Sequence, residues 1–366
     1  MIDEGKINQR EATAMVVIVI LAEMFLTFPA VLVDKVQTAA WMAILVTVAT
    51  GLLAFLPLAV LMGRFPGKSI IEAGEELVGP VLNILFCLIY LGFFLLTTAV
   101  ILRQYAERML TVSIPELPVS MAMASMLIGA VVACYLGLEA IARSTWLLVF
   151  FIGFALLLIN LLTFPYWRLD YLFPLGGPGW GKVMEEGFIR SSVMGEVFLL
   201  AVIAPAFKKP SLRRPGLGGV AIGGLLMVVT LVAMQVTFDV SVLREMSIPS
   251  FEMSRLIYFG RFIQRVEAAF MPIWALVGML KVSIGSYITG SIITRMLKLP
   301  YYRPFILPVA LIIFSAAFIP ANVSETVWVD LNVVRTWGWI PAFFLPVVLL
   351  AVAVITKKPG KKDGGF

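Results

Sequence analysis

The chain has 366 residues, of which 61% are apolar and only 14% are charged. Soluble domains are nearer half apolar and a quarter charged, so this composition excludes an ordinary soluble protein. Apolar runs of about eighteen residues or more recur along the sequence, and each could cross about 30 Å of hydrocarbon as a helix. The composition therefore predicts an all-α integral membrane protein in a lipid bilayer. In such a protein we expect the net charge of +6 to reflect basic loops and not a surface for nucleic acid.

The sequence has no histidine and only two cysteines. Without histidine the commonest metal ligand and proton shuttle is missing, so any proton chemistry must use carboxylates or lysine. Cys87 and Cys134 lie in separate apolar runs and are predicted to be small buried side chains and not a disulfide. We therefore expect no metal, no cofactor and no enzymatic activity, and a membrane-embedded enzyme is the weakest interpretation.

The apolar runs predict a single membrane domain over 1–366 with ten spanning helices and no cleavable signal peptide. We number these helices 1 to 10, and they cover 12–33, 39–62, 80–102, 118–137, 144–164, 188–207, 217–238, 266–290, 304–320 and 337–356. Ten helices divide into five-helix repeats over 12–164 and 188–356, and an odd-numbered unit in tandem must be inverted in the membrane. The segments 165–187 and 238–265 are long enough to hold short surface helices.

The distribution of lysine and arginine predicts the orientation. Basic residues are denser in the segments that share a side with the termini, including "KKPSLRRP" at 208–215 and the tail 357–366. Because cytoplasmic loops carry an excess of lysine and arginine, we expect both termini and this tail in the cytoplasm.

Helices 1 and 6 share an unusual pattern of a glutamate at mid-span followed by a proline. Glu23 is followed by Pro29, and Glu196 is followed by Pro205. Proline removes a backbone donor and frees carbonyls in the preceding turn, which hydrocarbon tolerates only where they line a cavity. The pattern predicts that both helices are broken at mid-depth, in equivalent positions of the two repeats.

Three loop-to-helix stretches resemble one known family. They are "RFPGKSIIEAGEELVG" at 64–79, "GLEAIARS" at 137–144 and "RVEAAFMPIWALVGMLKVS" at 265–283. These stretches resemble the B subunits of spore germinant receptors, a GerAB-like branch of the amino acid–polyamine–organocation (APC) transporter superfamily. The resemblance runs from about residue 11 to residue 356.

The resemblance implies a LeuT-like fold with an amino-acid-sized site between helices 1, 3, 6 and 8. It also implies a nutrient-sensing role in the inner membrane of bacterial spores, with an A-type membrane subunit and a C-type lipoprotein as partners. One departure concerns the ligand. The family's first helix usually has two glycines one residue apart before Leu-Thr-x-Pro, but here Ala22 and Met24 precede "LTFP" at 26–29. These side chains obstruct close approach of a ligand carboxylate to the backbone, and an ionised Glu23 would repel it.

Three ionisable residues inside predicted spans are the main candidates for function: Glu23, Glu196 and Lys281. A charge at the bilayer centre costs about 2.5–3.5 kcal/mol on insertion scales, so such groups usually face a cavity and have a use. We predict that all three couple a proton or cation to ligand binding, and that Lys281 pairs with Glu23 or Glu196. The alternative for Glu23 and Glu196 is a neutral carboxylic acid that holds the helix break together, and the alternative for Lys281 is a purely structural ion pair with a carboxylate.

The remaining candidates for ligand binding follow from the position of the site. Trp274, Gly278, Lys281 and Gly285 share one face of helix 8, and the glycines would let another helix approach closely. The predicted ligand-binding set comprises Glu23, Met24, Phe25, Thr27, Tyr90, Thr97, Glu196, Phe198 and Trp274.

Two functions remain open from the sequence. The first is a receptor subunit that senses an amino-acid-type nutrient, and the second is a proton-coupled permease for amino acids or amines. Both would share the fold, the site and the broken helices.

Overall fold

The computed structural model describes residues 5–112, 115–258 and 266–358. These residues form a helical bundle whose β-type pairing is limited to an isolated bridge between Ile7 and Phe207. The ten predicted segments correspond to Gln9–Leu21 with Phe28–Val36 (helix 1), Ala40–Arg64 (2), Ile70–Val112 (3), Val119–Leu136 (4), Leu138–Leu162 (5), Ser191–Phe198 with Leu199–Val202 (6), Arg213–Thr237 (7), Glu267–Met296 (8), Ile306–Ala316 (9) and Val323–Val329 through Leu345–Ile355 (10).

Seven helical stretches of the described chain are long and apolar enough to cross a membrane. The other three predicted segments are shorter or irregular. The first part of helix 1 ends after 13 residues, helix 6 is largely 3-10 helix, and helix 9 has 11 residues. All ten predicted segments are nevertheless helical.

The predicted breaks in helices 1 and 6 are present. In helix 1 a 3-10 turn over Ala22–Phe25 leads to an extended Leu26, and Pro29 lies at the start of Phe28–Val36, where its missing N–H costs nothing. In helix 6 the 3-10 stretch Ser191–Phe198 is followed by one α-helical turn and a second 3-10 turn that contains Pro205. Glu23 and Glu196 therefore both lie in irregular backbone, as the paired pattern predicted.

Helices 3 and 10 are longer than predicted, which corrects the assignment of several charged residues. Helix 3 begins before a kink at Gly79, whose φ of 80° favours glycine, and continues to Val112. Arg103 and Arg108, which the predicted boundaries place in a loop, are therefore buried on this helix. Helix 10 starts at Val323 instead of 337, so Arg335 is also buried in the bundle.

Both ends of the chain meet at the same end of the bundle. The backbone N–H of Ile7 donates to Ala206 O at 2.9 Å, and the ammonium of Lys358 donates to Glu76 O at 2.9 Å. Ion pairs of Arg295 with Glu72 and of Lys298 with Glu75 join helix 8 to the start of helix 3 at this end. The placement of both termini on one side agrees with an even number of spans; the tail beyond residue 358 lies outside the described residues.

The segments that connect helices 5 to 6 and 7 to 8 hold short helices as predicted, but the last of these helices is mostly buried and not on the surface. These helices are Trp180–Arg190 in the first segment, and Val240–Leu243 and Pro249–Leu256 in the second. Residues 259–265, which include the start of the third family-like stretch, lie outside the described part of the chain. Cys87 and Cys134 are buried and unpaired, as predicted.

The glycine face of helix 8 packs directly on helix 3. A Cβ on Gly278 would overlap the ring of Tyr105, and a Cβ on Gly285 would overlap Thr98. Gly290, further along the same helix, has no atom within 4 Å of its Cβ position. The predicted close approach of another helix is therefore confirmed.

We expect Gly278→Ala to destabilise the protein, because Tyr105 must shift in a buried contact, at a cost of about 1–3 kcal/mol. Gly290→Ala is the matched control and should be neutral or stabilising by up to about 1 kcal/mol, since alanine favours helix. Thermal unfolding of the two purified variants checks this. Equal melting temperatures would contradict the close packing of helices 3 and 8.

Candidate functional site

Five charged side chains meet where the break in helix 1 faces helices 6, 8 and 10. We call them the central charge cluster, and their exposed fractions are Glu23 1%, Glu196 4%, Lys281 4%, Asp330 7% and Arg335 1%. Taking a charge out of water costs several kcal/mol, so groups buried this deeply must be paired.

Lys281 of helix 8 joins the two broken helices. Its ammonium forms an ion pair with Glu23 and another with Glu196 Oε1 at 2.9 Å. It also donates to the backbone carbonyl of Val19, in helix 1, at 3.0 Å. An ammonium has three N–H donors, so these three acceptors satisfy it completely.

Arg335 of helix 10 contacts the same two glutamates from the other side. Its Nη2 lies 2.8 Å from Glu23 Oε1, and its Nη1 lies 3.2 Å from Glu196 Oε1. Its Nε lies 3.1 Å from Asp330 Oδ1 on its own helix. Asp330–Val334 is a π-helical turn, whose i→i+5 pattern brings residues five apart onto one side of the helix.

Helix 3 extends the cluster through uncharged groups. The Gln104 amide donates to Asp330 Oδ2 at 3.0 Å, and its carbonyl lies 3.5 Å from the hydroxyl of Thr27 in helix 1. Both oxygens of Asp330 therefore accept hydrogen bonds, one from Arg335 and one from Gln104. Helix 3 thus holds the position of the acidic residue of helix 10.

The backbone carbonyls in the break of helix 1 accept hydrogen bonds from side chains of other segments. Tyr105 donates to Ala22 O at 3.0 Å, Ser250 to Met24 O at 2.8 Å, and Trp274 to Phe25 O at 3.0 Å. Buried carbonyls need such partners where a helix is interrupted. Met24, Phe25 and Trp274, predicted to bind ligand, thus contribute to the fixed geometry of the break.

A small cavity borders the cluster on the side of helix 3. Its volume is about 10 Å³, enough for about one water molecule, and Glu196, Thr97, Thr98, Lys281 and Phe94 are among the residues that line it. The Thr97 hydroxyl is buried and has no hydrogen-bond partner, whereas Thr98 donates to Phe94 O at 2.6 Å.

An aromatic group lies beside this cavity. The rings of Tyr90 and Phe198 are 4.4 Å apart, and Phe94 lies 6.3 Å from Phe198. The Tyr90 hydroxyl is buried without a hydrogen-bond partner. Tyr90 and Phe198, both predicted to bind ligand, therefore pack on each other at the edge of the site.

The structure brings all ten predicted site residues to the region between helices 1, 3, 6 and 8, and shows that Lys281 pairs with both glutamates. Their roles toward a ligand stay predictions. Sequence reasoning missed Asp330, Arg335, Gln104 and Tyr105. The available signal was the apolar context of Asp330 and Arg335 in "VWVDLNVVRTWGWI" (327–340), which is typical of a span interrupted by an ion pair.

Comparisons with known proteins agree with this architecture. The family model described as spore germination protein, a spore permease family, matches residues 6–326, and the chain belongs to this family. Spore germination protein KB of Bacillus subtilis (strain 168) is 26% identical over 375 residues, which cover 99% of this chain and 98% of that protein.

Solved transporter structures share the fold. The structure of MhsT in complex with L-phenylalanine has a TM-score of 0.63 at 14% identity and covers 93% of this chain and 88% of MhsT. A mutant of the manganese transporter of Eremococcus coleocola has a TM-score of 0.58 at 16% identity, with 98% and 81% covered. The chain therefore has the LeuT-type transporter fold of two inverted five-helix repeats. Family and fold together point to a permease-like membrane protein linked to spore germination.

We expect the charges of the cluster to be strongly coupled. Lys281→Met leaves three carboxylates facing one cation, and breaking a buried pair in this way costs about 3–5 kcal/mol. Adding Glu23→Gln or Glu196→Gln should recover part of that loss, with a coupling of about 0.5–3 kcal/mol in each double-mutant cycle.

Folded yield and thermal unfolding of the single and double variants measure this coupling. Arg303→Met, which removes an exposed arginine remote from the cluster, is the control and should change little. Strict additivity in both cycles would show that Lys281 is paired with neither glutamate.

Proposed function

We propose that this chain is the nutrient-sensing membrane subunit of a spore germinant receptor, with its ligand site at mid-membrane between helices 1, 3, 6 and 8. The observation that carries the proposal is the central charge cluster. Two broken helices, which in this fold surround the ligand, are held to helices 8 and 10 by buried ion pairs of Glu23 and Glu196.

The size of the site supports a switch in which ligand binding rearranges the cluster. The cavity beside Glu196 and Lys281 has a volume of only about 10 Å³, so an amino-acid-sized ligand requires side chains to move. The groups nearest that space are the ones that join helices 1, 6 and 8. Ligand binding would therefore weaken these contacts and change the relation between the broken helices and the rest of the bundle.

The proposed partners and location follow from the family and from the relative in Bacillus subtilis. Membership of a spore germination family and 26% identity to spore germination protein KB support a B-type receptor subunit. On this proposal the chain works with an A-type membrane subunit and a C-type lipoprotein in the spore inner membrane. The density of basic residues at the end that holds both termini supports a cytoplasmic position for that end.

A proton-coupled permease for amino acids or amines is the second candidate. It is favoured by the same fold, because transporters with broken helices use the freed backbone and nearby ionisable groups to bind substrate and coupling ions. In proteoliposomes that contain this chain alone, a sensor would show no substrate accumulation. Uptake driven by an imposed pH gradient would instead establish the permease.

We expect Glu23→Gln to fold but to alter the response of spores to nutrient, because Glu23 lies in the break of helix 1 and, like Glu196, contacts both Lys281 and Arg335. The measurement is germination of spores that carry the variant, over about pH 5 to 8, with each nutrient that triggers germination of wild-type spores. Glu186→Gln, a buried carboxylate paired with Arg190 outside the cluster, is the matched control. A Glu23→Gln response equal to wild type across this range would leave Glu23 a structural role only.

A further inference from the structure

The central charge cluster does not balance within itself. It contains three carboxylates (Glu23, Glu196 and Asp330) and two cations (Lys281 and Arg335), all buried. If all five are ionised, one negative charge is left over in a region where an uncompensated charge costs several kcal/mol. One additional positive charge balances the cluster, and it can be supplied by a proton on one of the carboxylates or by a cation bound beside them.

Of the three carboxylates, Glu196 is the one that borders the small cavity on the side of helix 3. It lines the cavity of about 10 Å³, whereas Glu23 and Asp330 do not. Both oxygens of Asp330 accept hydrogen bonds, whereas Glu23 and Glu196 each accept from Lys281 and Arg335 through Oε1, so the cavity is what distinguishes Glu196 from Glu23. The cation that completes the cluster would thus be placed beside Glu196.

A second observation points to a ligand in the same cavity. The hydroxyl of Thr97, which is 5% exposed, lines this space and has no hydrogen-bond partner among the described residues. The cation of the lining, Lys281, already donates its three N–H groups to Val19 O, Glu23 and Glu196. A donor placed in the cavity would give the Thr97 oxygen a partner that Lys281, whose three N–H groups are engaged, does not supply.

The lining favours an organic ammonium group. Glu196 and Thr97 offer acceptors for N–H donors, and the ring of Phe94 lies on the same wall. The rings of Tyr90 and Phe198 lie next to Phe94, so an alkyl chain attached to the ammonium would enter an aromatic environment. Aromatic rings attract cations and pack well against apolar chains.

We propose that the cavity beside Glu196 binds the ammonium group of the ligand, and that the ligands of this protein are primary amines with a net charge of +1. A free carboxylate on the ligand would meet the excess negative charge of the cluster and be disfavoured. This inference rests on the proposed ligand site and adds the chemical class of the ligand.

The test uses the full chain in lipid nanodiscs and three probes of similar size: butylammonium chloride, L-norvaline and sodium butyrate. Binding is measured by isothermal titration calorimetry and by thermal shift, at constant ionic strength, with sodium and potassium chloride as further arms. We expect saturable binding of butylammonium, at least about tenfold weaker binding of norvaline, and no binding of butyrate.

Variants locate the site. Glu196→Gln should weaken butylammonium binding by about tenfold or more, because it removes a charge-assisted hydrogen bond. Thr97→Val, which keeps the shape of the side chain, should weaken binding less. Glu107→Gln, a buried carboxylate of the pair with Arg103 on helix 3, is the control and should bind as the wild type does.

The inference would be overturned if butylammonium did not bind to the wild type, or if norvaline bound with equal affinity. It would also be overturned if sodium or potassium produced the same stabilisation as butylammonium. The fourth contradicting result is an unchanged butylammonium affinity in both single variants, Thr97→Val and Glu196→Gln. If Glu196→Gln does not fold, the three probes on the wild type and the Thr97→Val variant still test the proposed amine site. Amine binding without any germination response would leave the inference intact and refute the receptor role. A germination response restricted to carboxylate-bearing nutrients would refute the inference and leave the receptor role intact.

Discussion

The contact between Arg335 and Glu23 is the interaction on which the central part of this protein depends. It joins helix 10 to the interrupted backbone of helix 1 at 2.8 Å, and both residues are 1% exposed. Lys281 of helix 8 also forms ion pairs with both glutamates, so Glu196 is paired with both cations. Buried ion pairs add little net stability compared with apolar packing, but losing one partner is costly. The cluster therefore specifies how four helices are placed relative to one another.

This arrangement explains how a LeuT-type fold can keep two broken helices in place. The freed carbonyls of helix 1 are satisfied by Tyr105, Ser250 and Trp274 from three other segments. The charges of the break are satisfied by Lys281 and Arg335. A molecule that contacts Glu23, Glu196 or Lys281 must therefore exchange contacts with groups that already have partners.

The sequence was sufficient for the broken helices but not for the whole cluster. Glu23, Glu196 and Lys281 stood out because hydrocarbon tolerates a lone ionisable side chain only where it faces a partner or a cavity. Arg335 was missed because the predicted start of helix 10 at 337 left it in a loop, although its surroundings at 327–336 are largely apolar. Only the π-helical turn at Asp330–Val334 places the two charges on one side, and nothing in the residue types predicts that turn. Gln104 is distant in sequence from Asp330, so their contact could be recognised only from the packing of helix 3.

Arg335 is held between the carboxylates of the two broken helices. The most direct test is the free energy of unfolding, by SDS titration in mixed micelles, of Arg335→Met and of Arg335→Met with Glu23→Gln. The single variant leaves three carboxylates facing Lys281 and should lose about 3–5 kcal/mol, whereas the double variant restores the original charge balance and should be more stable than the single. If the double variant is less stable than Arg335→Met by the full cost of Glu23→Gln alone, then Arg335 and Glu23 are not paired.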